Sequence, residues 1–134
     1  MLRRISLLIA ISGMITARRE GVAQPRTSDD ALSNPALATF VRDLREARGS
    51  QLREVWLFGS RARGESNVES DYDVCVVVDA NAEQAERVVS AESYEILDRY
   101  EDLISGRVYD LEEWERSLNT PLGWNIRKEG VRLL

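Results

Sequence analysis

The chain of 134 residues has no histidine, one cysteine and one lysine. Without imidazole there is no Ser-His-Asp triad and no histidine general base, and most zinc sites lose their usual ligand. Any metal would have to be a hard cation held by carboxylate oxygens. Cys75 has no partner within the chain for a disulfide, and its place inside Val74-Cys75-Val76-Val77-Val78 marks it as a small buried hydrophobe. Positive charge is also short: 18 Lys and Arg stand against 23 Asp and Glu, a formal net charge of -5. Such a chain has no general basic field for gripping a nucleic-acid backbone, although a local patch can still hold a phosphate. Seventeen of the 18 cations are arginine and the other is Lys128, which by itself carries no functional meaning.

Long apolar runs are missing as well. Residues 1–16, MLRRISLLIAISGMIT, combine a basic start with an apolar run of about ten residues, too short to span a bilayer. Arg18 and Arg19 follow closely, and only Ala17 hints at a cleavage site. An edge strand, a partner-binding helix or an irregular extension is therefore expected in place of a secretory leader. The expected setting is cytoplasmic, with no membrane contact. The remaining composition, 43% apolar and 31% charged, suits one domain with one modest core.

Residues 20–34 lack periodicity and read as a linker, which divides the chain into an extension at 1–34 and a domain at 35–134. Asn34-Pro35 supplies an N-cap and first helical position, and Leu37, Phe40, Val41 and Leu44 recur at helical spacing through 35–48 before Gly49. Residues 54–58 alternate as a strand, with Val55 and Leu57 on one face and Trp56 and Phe58 on the other. A polar loop spans 61–70. Residues 72–78 are apolar apart from Asp73, as in a strand covered on both faces. A helix is predicted over 83–99 with Ala85, Val88, Val89, Ile96 and Leu97 inward. A strand follows at 103–109, weakened by Ser105-Gly106-Arg107. Asp110 with Glu113 forms a capping box for the next helix, and Thr120-Pro121 opens another that Gly130 closes. The order α-β-loop-β-α-β-α-α implies an α/β (α+β) domain, a small mixed sheet with flanking helices. Trp56, Trp114 and Trp124 read as core or interface anchors, Tyr72 and Tyr109 as core, and Arg116, Arg127, Lys128 and Arg132 as mostly solvated surface.

The chemistry concentrates in LFGSRARGESNVESDYDV, residues 57–74. Residues i and i+2 of a strand leave the same face, so Asp71 and Asp73 would present two carboxylates to a shared cation. Two acids forced together repel and need positive charge nearby, for which Mg²⁺ with water and phosphate oxygens is the natural choice. Gly59 permits close backbone approach, and Ser60 offers a hydroxyl and an N–H to a phosphate. Arg61 and Arg63 add guanidinium donors matched to phosphate oxygens. If the strand ended by Gly59-Ser60 lies beside the strand opened by the aspartates, turn and carboxylates form one site.

Gly59-Ser60, ten residues, then Asp71-Tyr72-Asp73 resembles the signature of the nucleotidyltransferase superfamily related to DNA polymerase beta. LFGSRARG followed by SDYDV looks like its minimal stand-alone members, and the closing PLGWNIRKEGVRL is similar to their last segment, so the resemblance runs from the helix near residue 35 to the end. It implies the nucleotidyltransferase fold and Mg²⁺-dependent transfer of a nucleoside monophosphate from a nucleoside triphosphate, ATP foremost, to an acceptor hydroxyl. Gly59, Ser60, Arg61 and Arg63 would then hold the triphosphate, and Asp71 and Asp73 the metal. The acceptor implied by the toxin–antitoxin members is a helical toxin-like partner protein. Small-molecule and RNA acceptors and a homo-oligomer stay open.

One departure divides the functional expectation. Family members generally carry a third carboxylate on a later strand, and its expected position falls near Ser105. Asp102 is the candidate substitute, with Glu101 adjacent and Asp98 on a helix. The main expectation is an enzyme using Asp71, Asp73 and Asp102. The alternative is a catalytically weak or inactive nucleotide-binding or protein-interaction module on the same fold.

Overall fold

The computed structural model describes residues 27–64 and 71–134. The apolar segment at 1–16 and residues 65–70 of the polar loop lie outside the described residues. Four strands form one mixed sheet: β1 (Leu52–Phe58), β2 (Tyr72–Val78), β3 (Ile104–Asp110) and β4 (Val131–Arg132), ordered β3-β2-β1-β4. β1 pairs antiparallel with β2 and β4, whereas β2 and β3 are parallel. A parallel pair needs a long crossover, and α4 (Ala82–Tyr100) supplies it. The remaining helices are α1 (Ser28–Leu32), α2 (Pro35–Arg48), the single turn α3 (Ser60–Arg63), α5 (Leu111–Arg116) and α6 (Pro121–Glu129). Among the described residues no helix is long and apolar enough to cross a membrane.

The alternation of β1 and β2 sorts the core into two layers. Val55, Leu57, Val74, Val76 and Val78 face α2 and α4, where Leu37, Phe40, Leu44, Ala85, Val89 and Ile96 close the larger core. Cys75 and Val77, with Trp56 and Phe58, face α5 and α6 and pack with Trp114, Tyr109, Leu122 and Ile126. β2 is therefore covered on both sides, as its apolar run predicts. Gly106 sits in β3 because α4 comes close: a Cβ there would stand 2.5 Å from Val89 Cγ1. The residue that weakens the strand pattern in sequence is the one that lets the crossover helix pack.

Local sequence rules account for most boundaries. Asn34 Oδ1 accepts from the Leu37 N–H at 3.0 Å, and its Nδ2 donates to the Tyr72 hydroxyl at 2.8 Å. One side chain thus caps α2 and fastens it to β2. The Asp110–Glu113 capping box is present with both hydrogen bonds, 2.7 and 2.9 Å. Thr120 caps α6 through the Gly123 N–H.

Five expectations change. Ser28–Leu32, inside the aperiodic stretch, is helical, capped by Thr27 and anchored by buried Ala31. Val131–Arg132 forms an edge strand that its short length concealed. Leu97, expected inward, is 41% exposed, because it sits on the flank of the helix beside Ile96, which takes the inward position on the face of Ala85 and Val89. Trp124 is also exposed, with the Lys128 ammonium 4.6 Å from its ring centroid. Arg127 is structural instead of solvated: its guanidinium lies 3.7 Å over Trp114, and Nη2 donates to the Trp114 carbonyl at 2.6 Å.

Asn34→Ala removes both the α2 cap and the tie to Tyr72, and should cost about 1–2 kcal/mol. The urea midpoint should fall with an unchanged slope, and Tyr72→Phe, which keeps the cap, should lose less.

Candidate functional site

The site forms where three strand ends meet. β1 ends at Phe58, which stands opposite Asp73 in the antiparallel register, and Asp73 stands beside Ser105 in the parallel register. The end of β1, the start of β2 and the start of β3 therefore share one corner. α5 and α6 cover the same sheet face farther along, over Cys75 and Val77.

Gly59 makes the corner possible. Its φ of 76° lies in the left-handed region, and a Cβ built on it would come within 2.5 Å of Asp73 Oδ2. Only glycine meets both conditions without strain, so the turn backbone rests against the carboxylate. Ser60 then opens α3, where the Ala62 and Arg63 N–H groups donate to the Gly59 carbonyl at 3.1 and 3.2 Å and close the turn. The expected loop thus begins with a helical turn, up to Gly64.

Asp73 is half-buried and Asp71, just before β2, is exposed. Burial first, and the Asp71 charge second, push the Asp73 carboxyl above its ordinary value, while Arg107 pulls it down. That pattern is an acidic pair short of positive charge, suited to a hard cation whose other ligands are water or phosphate oxygens. Among the described residues no group of three Asp, Glu, Cys or His is placed to hold a metal. Ser105, the neighbour of Asp73 on β3, has a hydroxyl there, as the sequence implies. Asp102 lies ahead of β3, half-buried, in the segment whose Leu103 carbonyl accepts from the Tyr72 N–H at 2.9 Å. Among the described residues, no hydrogen bond or ion pair joins Asp102 to Asp71 or Asp73.

The two arginines after the turn diverge from the aspartates. The Arg61 guanidinium lies 4.2 Å from the centroid of the Tyr72 ring. Tyr72 is buried against α2, on the sheet face opposite Asp73, as its alternation predicts. Arg63 stays near the turn, 3.8 Å from Glu129 of α6. A cation that β3 itself brings to the Asp73 face is Arg107, paired in register with Cys75. The sequence pattern alone did not single it out, although it stands two positions after Ser105 and strand alternation puts both on one face. Cys75 is buried and free, its thiol pushed up to about 12 by burial, which makes it inert as a nucleophile.

Fold and corner together define an α/β domain that sets a glycine-serine turn against an acidic strand start. The chain belongs to the nucleotidyltransferase domain family, whose model matches residues 37–130. No curated protein matches the sequence. Two solved structures are similar in fold. One is a mutant of the toxin–antitoxin pair MntA-HpeT, 20% identical, with a TM-score of 0.50 over 72% of this chain and 71% of that one. The other is a toxin–antitoxin structure with AMP-PNP, 22% identical, with the same TM-score and coverage.

Two outcomes test the corner. Gly59→Ala should lower stability by about 1–3 kcal/mol, and adding Asp73→Ala should recover part of the loss in a double-mutant cycle, because the clash partner is gone. Because the folded-state value of Asp73 is raised, its protonated form favours folding. That contribution is complete below the unfolded value and lost as pH rises through the folded value. Asp73→Asn should therefore be more stable than the parent at about pH 7 without divalent cations, with the gap closing toward about pH 3, as read from urea midpoints.

Proposed function

We propose that the chain transfers a nucleoside monophosphate, from ATP in the first instance, to a hydroxyl of a partner protein. The observation that supports this reading is the close approach of Gly59 to Asp73, which brings the turn backbone against one of the two carboxylates. Gly59, Ser60 and Arg63 would position the triphosphate. Asp71 and Asp73 would hold Mg²⁺, which when bound neutralises phosphate charge and orients the α-phosphorus. The acceptor oxygen attacks that phosphorus, the bond to the β-phosphate oxygen breaks, pyrophosphate leaves, and the acceptor proton passes to water. The residues contribute mainly position and charge, the usual protein share of phosphoryl-type transfer. A protein acceptor is supported by the toxin–antitoxin assemblies among the similar structures, and an adenine nucleotide by the AMP-PNP in one of them.

A second reading is a module that binds nucleotide and partner without turnover. Ser105 and Arg107 favour it, since neither β3 position on the site face is acidic. Asp102 would serve as a third carboxylate only if its segment moved onto the corner.

Pyrophosphate release with Mg²⁺, ATP and a candidate helical partner separates these readings. Turnover should require Mg²⁺ and fall at least about a hundredfold in Asp71→Asn/Asp73→Asn. Equal release by that variant would defeat the assignment. Tight nucleotide binding with no release across broad acceptor screens would establish the module.

A further inference from the structure

The parallel pairing of β2 with β3 sets Asp73 beside Ser105 and Cys75 beside Arg107. Alternation keeps 105 and 107 on the face that carries Asp73, while Ile104 and Val108 turn into the α2/α4 core. At these positions β3 offers a hydroxyl and a guanidinium. Arg107 is exposed, and no ion pair or hydrogen bond joins it to another described residue. The register sets it beside Cys75, and its positive charge pulls down both the Cys75 thiol and the Asp73 carboxyl. Glu86 and Ser90 of α4 line the groove at the outer edge of β3 with it, yet Arg107 makes no ion pair with Glu86.

Of the other cations near the corner, Arg63, 3.8 Å from Glu129, is already assigned to the turn end of the triphosphate, while Arg61 stacks on Tyr72 across the sheet and Arg127 is clamped to Trp114. A triphosphate reaching from the Gly59–Ser60 turn to Asp73 brings several negative charges to a place that already holds two carboxylates. One divalent cation neutralises only part of that charge. A second would need further carboxylate ligands, which the described residues do not gather. A guanidinium can supply the missing charge directly, and its planar fork pairs two phosphate oxygens at once.

We propose that Arg107 binds the triphosphate in place of a second divalent cation, so that this site works with a single bound ion. The inference rests on the nucleotide-binding reading of the corner and adds to it the metal stoichiometry and a phosphate ligand. Ser105 leaves room beside Asp73, and the guanidinium two residues on reaches the phosphates from β3. The chain would thus hold nucleotide with less metal than a site of three carboxylates requires. An aspartate at position 107 would restore an acidic position on that strand.

The test is binding of AMP-PNP and Mn²⁺ to the full chain, with affinity read by calorimetry and bound Mn²⁺ counted by electron paramagnetic resonance. The parent should hold one Mn²⁺ per nucleotide complex. Arg107→Ala should weaken AMP-PNP about tenfold, Arg107→Lys should recover part of that, and Arg107→Asp should raise the count to two. The exposed position leaves the fold intact, which matching thermal unfolding curves would verify. Two Mn²⁺ in the parent, or an Arg107→Ala affinity within about twofold of the parent, overturns the proposal while the corner still binds nucleotide. If the parent binds no AMP-PNP, or Asp71→Asn/Asp73→Asn binds Mn²⁺–AMP-PNP unchanged, the underlying reading of the corner fails as well.

Discussion

A backbone with no side chain resting on a carboxylate is the contact on which the rest of the site depends. Gly59 holds a left-handed conformation at the end of β1 and leaves room for Asp73 Oδ2 where a Cβ would otherwise sit. The antiparallel register of β1 and β2 brings the two together, and the parallel register of β2 and β3 adds Ser105 and Arg107 to the same corner. Each register depends in turn on packing beneath the sheet. Asn34 ties α2 to Tyr72, and Gly106 lets α4 lie close on Val89. A half-buried acid beside another acid is thereby held by elements whose own stability comes from the apolar layer.

The two sides of the sheet divide the work. The α2/α4 side is a continuous apolar core that fixes strand order. The opposite side is covered only in part, by α5 and α6 over Cys75 and Val77, with Trp114 pinned beneath Arg127. The acidic corner lies at the other end of that face. Burial raises the Asp73 carboxyl, and among the described residues α5 and α6 pack mainly farther along, over Cys75 and Val77.

Much of this was legible in the chain. The helix at 35–48, the strands at 54–58 and 72–78 and the Asp110 capping box rest on spacing and capping rules that act over a few residues, and they stand as expected. The turn and the aspartates were legible for the same reason. Less legible were segments whose order comes from distant contacts. Ser28–Leu32 has no periodicity of its own yet buries Ala31, and the two residues of β4 gain strand character only by pairing with Trp56 and Leu57. Arg127 gave no sign in sequence of the Trp114 carbonyl it would find.

The sequence by itself determined the family, the two-layer alternation and the two motifs, the Gly-Ser turn and the Asp71-Tyr72-Asp73 strand start, because motif, period and capping are written in neighbouring residues. Only the tertiary structure decided which cations share that corner. Arg61, next to the motif, stacks across the sheet on Tyr72, while Arg107, 34 positions from Asp73, arrives on the Asp73 face through the β2–β3 register. Register joins residues that no local rule connects, since it is set by how α4 packs and by the space Gly106 leaves for it.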